Sequence, residues 1–288
     1  AERLMMMRIV SLLASATEIV HALEMGRYQV GRSHECDFPS QVEFLPVCTR
    51  PRFGVEGNSR EIDREVRDVL RDAVSVYDVL EERLEQLQPT HIITQSQCDV
   101  CAVSLKSVQR AVSQRLTCDP EIVSLEPFFL RDIWTDIQAV SESLGTPTRG
   151  RDLVAELQDQ IHSVASRTKA LRTRPRVACI EWLEPLMIAG NWMPELVELA
   201  GGANLIGETG KHSGPISWKQ LTDTDPDILI LLPCGWDMQR IKEEMYWLTD
   251  RPGWNSLRAV QTGSVYITDG NQYFNRPGPR LAESVKIL

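Results

Sequence analysis

The sequence predicts an α/β fold of two lobes, each built on a parallel sheet, joined by one long helix, with a ligand cleft between the lobes. Three observations predict it. Short apolar runs of strand length alternate with helical stretches, the rhythm of βαβ units whose crossovers make neighbouring strands parallel. The alternation breaks once, at residues 149–172, where Leu153, Leu157, Ile161, Val164 and Leu171 recur at helical spacing with one Gly at the entrance and no Pro. A chain of 288 residues with 42% apolar content is long enough to bury two such sheets. The lobes are therefore of Rossmann-like type, with boundaries at 1–148 and 174–288 and a connecting helix at 149–173.

In chain order, strands are expected at 8–12, 29–32, 91–94 and 121–125 in the first lobe. After Pro175 they resume at 176–180, 228–232 and 265–268. Ser15 or Thr17 can cap the helix that carries Ile19, Val20 and Leu23, and Gly26 stands where that helix should stop. Pro194 and the pair Gly201-Gly202 bracket the first helix of the second lobe in the same way. Residues 43–58, rich in Pro, Arg and Gly, read as a surface loop.

Composition narrows the function. A net charge of −9 leaves no basic surface for a polyanion, which excludes nucleic acid as a partner. No apolar run approaches the roughly 18–20 residues that span a bilayer, so no membrane insertion is expected. The seven cysteines form an odd set without the density of a disulfide scaffold, which favours a reducing compartment. A cytoplasmic monomer is the expectation, with a periplasmic setting as the alternative. No Walker loop and no Gly-x-Ser-x-Gly elbow occurs, and the chain is not expected to be an enzyme.

Ligands of open parallel sheets lie beyond the carboxyl ends of the strands. The residues there are Ala14 to Thr17, including Ser15, which serves either as a cap or as a ligand contact; then His34, Glu35 and Cys36; then Gln95 with Cys98 and Cys101. In the second lobe they are Trp182, Trp192 and the run Tyr273-Phe274-Asn275-Arg276. Aromatic and polar groups interleaved in this way suit a large, flat, amphipathic ligand. His34, Cys36, Cys98 and Cys101 carry the ligand types of a zinc site, but buried structural cysteines or a dithiol redox pair fit the same spacing. His34 alone can serve as an axial metal ligand.

The anchors Arg8-Ile9-Val10-Ser11-Leu12, Ser15-Ala16-Thr17-Glu18, Cys36-Asp37-Phe38-Pro39, Leu87-Gln88-Pro89-Thr90-His91-Ile92-Ile93, Val197-Glu198-Leu199-Ala200-Gly201-Gly202-Ala203-Asn204-Leu205 and Asp225-Pro226-Asp227-Ile228-Leu229-Ile230 occur in this order over nearly the whole chain. In that order the sequence resembles the cobalamin- and siderophore-binding proteins of ABC importers. The forms Ser33-His34-Glu35-Cys36-Asp37 and Gln97-Cys98-Asp99-Val100-Cys101 resemble a cobalamin-binding branch. The resemblance implies a corrinoid such as cobalamin as ligand, closure of the lobes against a stiff helix, and an ABC permease as partner. Glu82 and Glu198 stand where importer-coupled members dock on arginines of the permease. It further implies ligand contacts from Ser15, His34, Glu35, Gln95, Trp182, Trp192, Tyr273, Phe274 and Arg276. The aromatic that the family carries after its third strand falls near Gln95 here, so Trp182, Trp192 or Tyr273 would replace it. Haem or a ferric siderophore is the alternative ligand, and a metal or redox enzyme using Cys98 and Cys101 the alternative function.

Overall fold

The structure is a computed structural model and describes residues 6–72, 75–98, 100 and 102–288. Among these, the chain divides into two compact units. The first draws on the described residues among 6–56, 64–127 and 131–155, the second on 57–63, 128–130 and 156–288. The long helix α6, Pro147–Thr168, contributes its first turns to one unit and the remainder to the other.

The first unit is built on four strands, β1 (Ile9–Ser11), β2 (Gln29–Arg32), β5 (His91–Gln95) and β6 (Glu121–Leu125), all parallel in the order β2-β1-β5-β6. Every residue of β1 and β5 is buried. Strands covered on both faces must be apolar throughout or have their polar groups bonded. One face packs Val10, Leu12 and Ile92 with Leu84 of α3 (Glu81–Leu87) and Val108 of α4 (Leu105–Arg115). Full burial of side chains of this size stabilises by roughly 1.5–3 kcal/mol each.

Local details depart from the expected capping. Helix α1 (Ala14–Ala22) begins after Leu13, with no side-chain cap. The Thr17 hydroxyl is bonded instead to Ser11 Oγ, and donates to Cys36 Sγ at 3.0 Å. Ser15 Oγ is buried without a partner. Gly26 does not supply the stop; the left-handed residue is Glu24, at φ 63°. Gly26 is needed for space, because a Cβ there would lie 2.3 Å from the His21 ring. The segment expected as loop at 43–58 contains β3 (Thr49–Pro51), antiparallel to β4 (Tyr77–Val79). Arg50 and Arg52 both pair with Asp78 across this ribbon, at 3.1 and 2.6 Å. That pairing partner lies far along the chain, so local composition could not announce it.

In the second unit, β7 (Arg176–Trp182) runs beside β11 (Ile228–Leu231), and β12 (Val265–Ile267) follows, all parallel. On the other side β8 (Met187–Ile188) turns back antiparallel and pairs with β10 (Gly214–Pro215), while β9 (Ala203–Asn204) pairs with the start of β7. Helix α7 (Met193–Leu199) opens with Pro194 in its first turn, and Gly201 follows it at φ +94°. Helix α2 (Ser59–Asp72) starts within this unit on a reciprocal cap between Asn58 and Glu61.

Helix α5 (Leu130–Ser143) carries a buried carboxylate, Asp136, whose Oδ2 has no partner. Burial pushes it up to about 7 against a backbone hydrogen bond from Glu126, with Asp132 and Glu126 adding repulsion. The folded form therefore keeps a proton that the unfolded chain loses near pH 4, so this group's contribution to stability is present at low pH and lost as pH rises to about 7. Asp136→Asn is expected to raise stability by about 2 kcal/mol at neutral to alkaline pH and to change it little near pH 4. Urea denaturation midpoints of both proteins at the two ends of that range measure this; equal differences at both ends would contradict it.

Candidate functional site

The loops that follow the parallel strands bring the candidate residues to the carboxyl edge of each sheet. In the first unit the loop after β2 is fixed by Arg32, whose guanidinium donates to the carbonyls of Ser33 (3.2 Å), Cys36 (3.0 Å) and Glu43 (3.0 Å). His34 is half-buried; its backbone N–H donates to Thr49 Oγ1 at 3.1 Å, and its Nδ1 shares a 2.8 Å hydrogen bond with the same hydroxyl. Its Nε2 lies 3.9 Å from Glu35 Oε1, and Tyr77 packs against the ring at 5.2 Å. The Tyr77 hydroxyl donates to Glu35 Oε1 at 3.3 Å. Burial, and then the Arg32 charge, push His34 down to about 4, so the imidazole is neutral through the physiological range. A neutral imidazole oriented at one nitrogen is the form that binds a metal centre.

Gln95 is buried at the end of β5 and holds the next turn, accepting from the Cys98 N–H at 2.7 Å and donating to the Cys98 carbonyl. The zinc site considered from His34, Cys36, Cys98 and Cys101 finds no support. Among the described residues no group of three or more His, Cys, Asp or Glu side chains could hold a metal ion. Cys36 is buried, its Sγ bonded to Thr17 and Ser33, and burial raises its pKa, which disfavours the thiolate that zinc requires. Cys101 lies outside the described residues.

In the second unit Trp182 ends β7. Its indole N–H donates to the Ser59 carbonyl at 3.1 Å, and its ring meets Trp236 at 4.9 Å. Residues 57–63 are fastened beside it. The buried Glu244 carboxylate accepts from the Ser59 N–H (2.9 Å), the Ser59 hydroxyl (2.8 Å) and the Trp247 indole (3.1 Å). Arg60 lies over the Trp247 ring at 4.4 Å and pairs with Glu184 at 3.3 Å. Arg240 covers Trp236 at 4.4 Å and donates to the Gly57 carbonyl at 2.7 Å. Sequence reasoning missed this cluster; Arg60 and Arg240 carry no local signal, since only the tertiary fold puts them on the rings.

Trp192 and Phe274 are packed in the core, 5% and 0% exposed, and joined by a 2.7 Å hydrogen bond from the Trp192 indole to the Phe274 carbonyl. Arg276 is also buried and donates to Asn271 Oδ1 at 2.9 Å. Tyr273 keeps a half-open ring, with the Arg280 guanidinium 5.2 Å from its centroid. Glu82 and Glu198 are exposed on α3 and α7.

Each unit thus brings polar or aromatic side chains to the carboxyl edge of its own sheet, and comparison with known proteins supplies the class. Residues 9–272 match the family described as periplasmic binding protein, to which the chain belongs. That family comprises binding proteins that serve as components of transport. Over 292 aligned residues, 98% of this chain and 78% of the relative, the chain is 22% identical to an uncharacterized ABC transporter substrate-binding lipoprotein, YvrC, of Bacillus subtilis (strain 168). The structure is similar to the periplasmic haem-binding protein RhuT from Roseiflexus sp. RS-1 in apo form, with a TM-score of 0.71, 23% identity and coverage of 98% and 95% of the two chains. It is also similar to the periplasmic vitamin B12-binding protein BtuF of Vibrio cholerae (TM-score 0.69, 19% identity, 97% and 94% covered) and to S. aureus IsdE complexed with heme (0.71, 15%, 98% and 96%). At such identities the likeness shows the fold alone. The cytoplasmic location expected from the cysteines is corrected: relatives that are lipoproteins or periplasmic proteins indicate an extracytoplasmic one. Buried thiols such as Cys36, Cys48 and Cys179 are small core residues and report little about compartment.

Glu244→Ala leaves two donors of Ser59 and the Trp247 indole without their acceptor. A loss of about 3 kcal/mol is expected, with red-shifted tryptophan emission as residues 57–63 detach. Chemical denaturation followed by fluorescence tests this; an unshifted spectrum at native stability would show that Glu244 does not hold the segment.

Proposed function

We propose that the protein binds cobalamin or a related corrinoid for uptake. His34 serves as axial ligand, Trp182 and Tyr273 supply apolar surface, and Glu35 lies beside the metal-binding nitrogen. Ser15, Gln95, Trp192, Phe274 and Arg276 shape these loops from beneath. The observation that carries the reading is His34, half-buried, kept neutral, and anchored at Nδ1 by Thr49. An imidazole held in this way replaces a water or base on a metal chelate without first losing a proton.

Haem would use the same nitrogen, and relatives described as haem-binding share the fold. Two arginines at the strand-end motifs, Arg32 and Arg276, favour the corrinoid. Haem brings carboxylates that call for cationic partners, whereas Arg32 donates to backbone carbonyls and Arg276 to Asn271. A corrin periphery carries amides, which need only neutral donors and acceptors. Glu82 and Glu198 are the proposed acidic contacts for the permease, and their exposure on helices supports that role.

Titration with hydroxocobalamin, followed by desalting, tests the proposal. Stoichiometric retention with a shifted visible spectrum is expected, and His34→Ala should lose the shift. The shift should hold from about pH 8 down to about pH 5 and fade only as His34 is protonated toward pH 4. Retention of haemin but not of hydroxocobalamin would transfer the site to haem.

A further inference from the structure

On the central strand of the second unit, one carboxylate at the carboxyl edge has not been used. Glu181 is the penultimate residue of β7, which lies between β8 and β11 in the sheet. It is half-buried and accepts a 2.6 Å hydrogen bond from the Ser213 hydroxyl. Ser213 in turn accepts from the Gly190 N–H at 2.9 Å. The two backbones approach closely here, since a Cβ on Gly190 would fall 2.3 Å from the Lys211 carbonyl oxygen and 2.9 Å from the Ser213 nitrogen. Ser213 is therefore committed as a donor, and Glu181 Oε2 as its acceptor.

We propose that Glu181 is a specificity-determining residue that selects side-chain amides over carboxylates on the bound ligand. The inference rests on the corrinoid reading above and names the feature of the ligand that this site distinguishes. The ionisable groups around Glu181 come from each neighbouring element. On β7 itself is Cys179, a buried thiol pushed up to about 12 by burial and then by the Glu181 charge. The segment before β10 contributes Lys211, which pairs with Glu208, and His212, whose ring stands edge-on to Phe128 at 5.3 Å. Beyond β11 lies Cys234, whose backbone N–H donates to the Glu181 carbonyl at 3.1 Å. The loop after β8 brings Gly190, Asn191 and Trp192, none of them ionisable. Among the described residues no cation forms an ion pair with the Glu181 carboxylate. Burial pushes Glu181 up to about 7, with the Ser213 hydrogen bond pulling the other way.

A primary amide suits both states of such a group. Protonated, Glu181 donates to the amide carbonyl; ionised, it accepts from the amide N–H. A ligand carboxylate is accommodated only while Glu181 holds its proton, and above neutrality two like charges meet at a half-buried site. Amide ligands should then bind with little pH dependence, and a carboxylate at this position should lose up to about tenfold in affinity for each pH unit above 7.

The experiment is calorimetric titration of the intact protein and its Glu181→Gln variant at about pH 6 and about pH 8.5. The probes are cyanocobalamin and the separate monocarboxylic acids made by hydrolysing one of its side-chain amides. Gln is isosteric and can still accept from Ser213. For the unaltered protein, cyanocobalamin affinity should change less than about twofold, while at least one monocarboxylate binds about tenfold or more weakly at the higher pH. The Gln variant should bind that isomer equally well at both. If every isomer shows the same pH ratio in the two proteins while cyanocobalamin binds, the assignment to Glu181 is overturned and the corrinoid reading stands. If the unaltered protein binds no cyanocobalamin, the corrinoid reading falls and takes this inference with it.

Discussion

Parallel pairing in two central strand pairs, β1 with β5 and β7 with β11, is the constraint on which the rest of the molecule depends. Parallel neighbours need a crossover helix between them, so both faces of each sheet are covered and the strands must be apolar or fully bonded. They also end at the same edge, which collects every strand-to-helix loop in one place. Chemistry that would be scattered along the sequence, at 34, 95, 182 and 273, is thereby concentrated at two sheet edges. The polar residues inside β1 and its neighbours meet the same constraint in part: Gln29 Nε2 donates to Ser11 Oγ at 2.7 Å and to the Gly31 carbonyl at 3.2 Å, while its buried Oε1 has no hydrogen-bond partner.

Burial sets the charge state of groups at those edges and in the helices packed beside the sheets. Desolvation penalises whichever form is charged, so it lowers His34 and raises Asp136 and Glu181. None of the three has the compensation that Glu244 receives from three donors. The contrast separates a structural carboxylate from one left open to chemistry. Glu244 is saturated and fastens residues 57–63, whereas Glu181 has a single side-chain donor and can respond to what is placed beside it.

The architecture was legible because its signals are local. Strands β2 and β6 fall at the residues expected for them, and α6 follows the spacing of Leu153, Leu157 and Ile161. Short strands such as β8 and β10, with two residues each, exist only through their partners and leave no periodic trace. The candidate site was legible in part. His34 and Trp182 could be placed from the rule that ligands gather beyond strand ends. Trp192 and Phe274 obey the same rule yet turn into the core, because the direction of a side chain in a loop depends on packing that no short motif encodes. Residues 57–63 were assigned by chain position to the first lobe, but Glu244, far along the sequence, holds them in the second unit.

The cluster around Trp182 bears on how a flat ligand is received. An indole whose N–H is already committed to the Ser59 carbonyl, and one of whose contacts is Trp236, offers apolar surface and no hydrogen bond. Orientation must then come from polar groups; on the reading proposed above, His34 would ligate the metal and Glu181 would read a peripheral substituent. Apolar area supplies affinity without direction, and a few polar contacts supply direction. On the proposed corrinoid reading the neutral amides at the ligand's rim suit Glu181, which has no cation paired with it among the described residues, and the committed guanidinium groups of Arg32 and Arg276, which already donate to oxygens of their own loops.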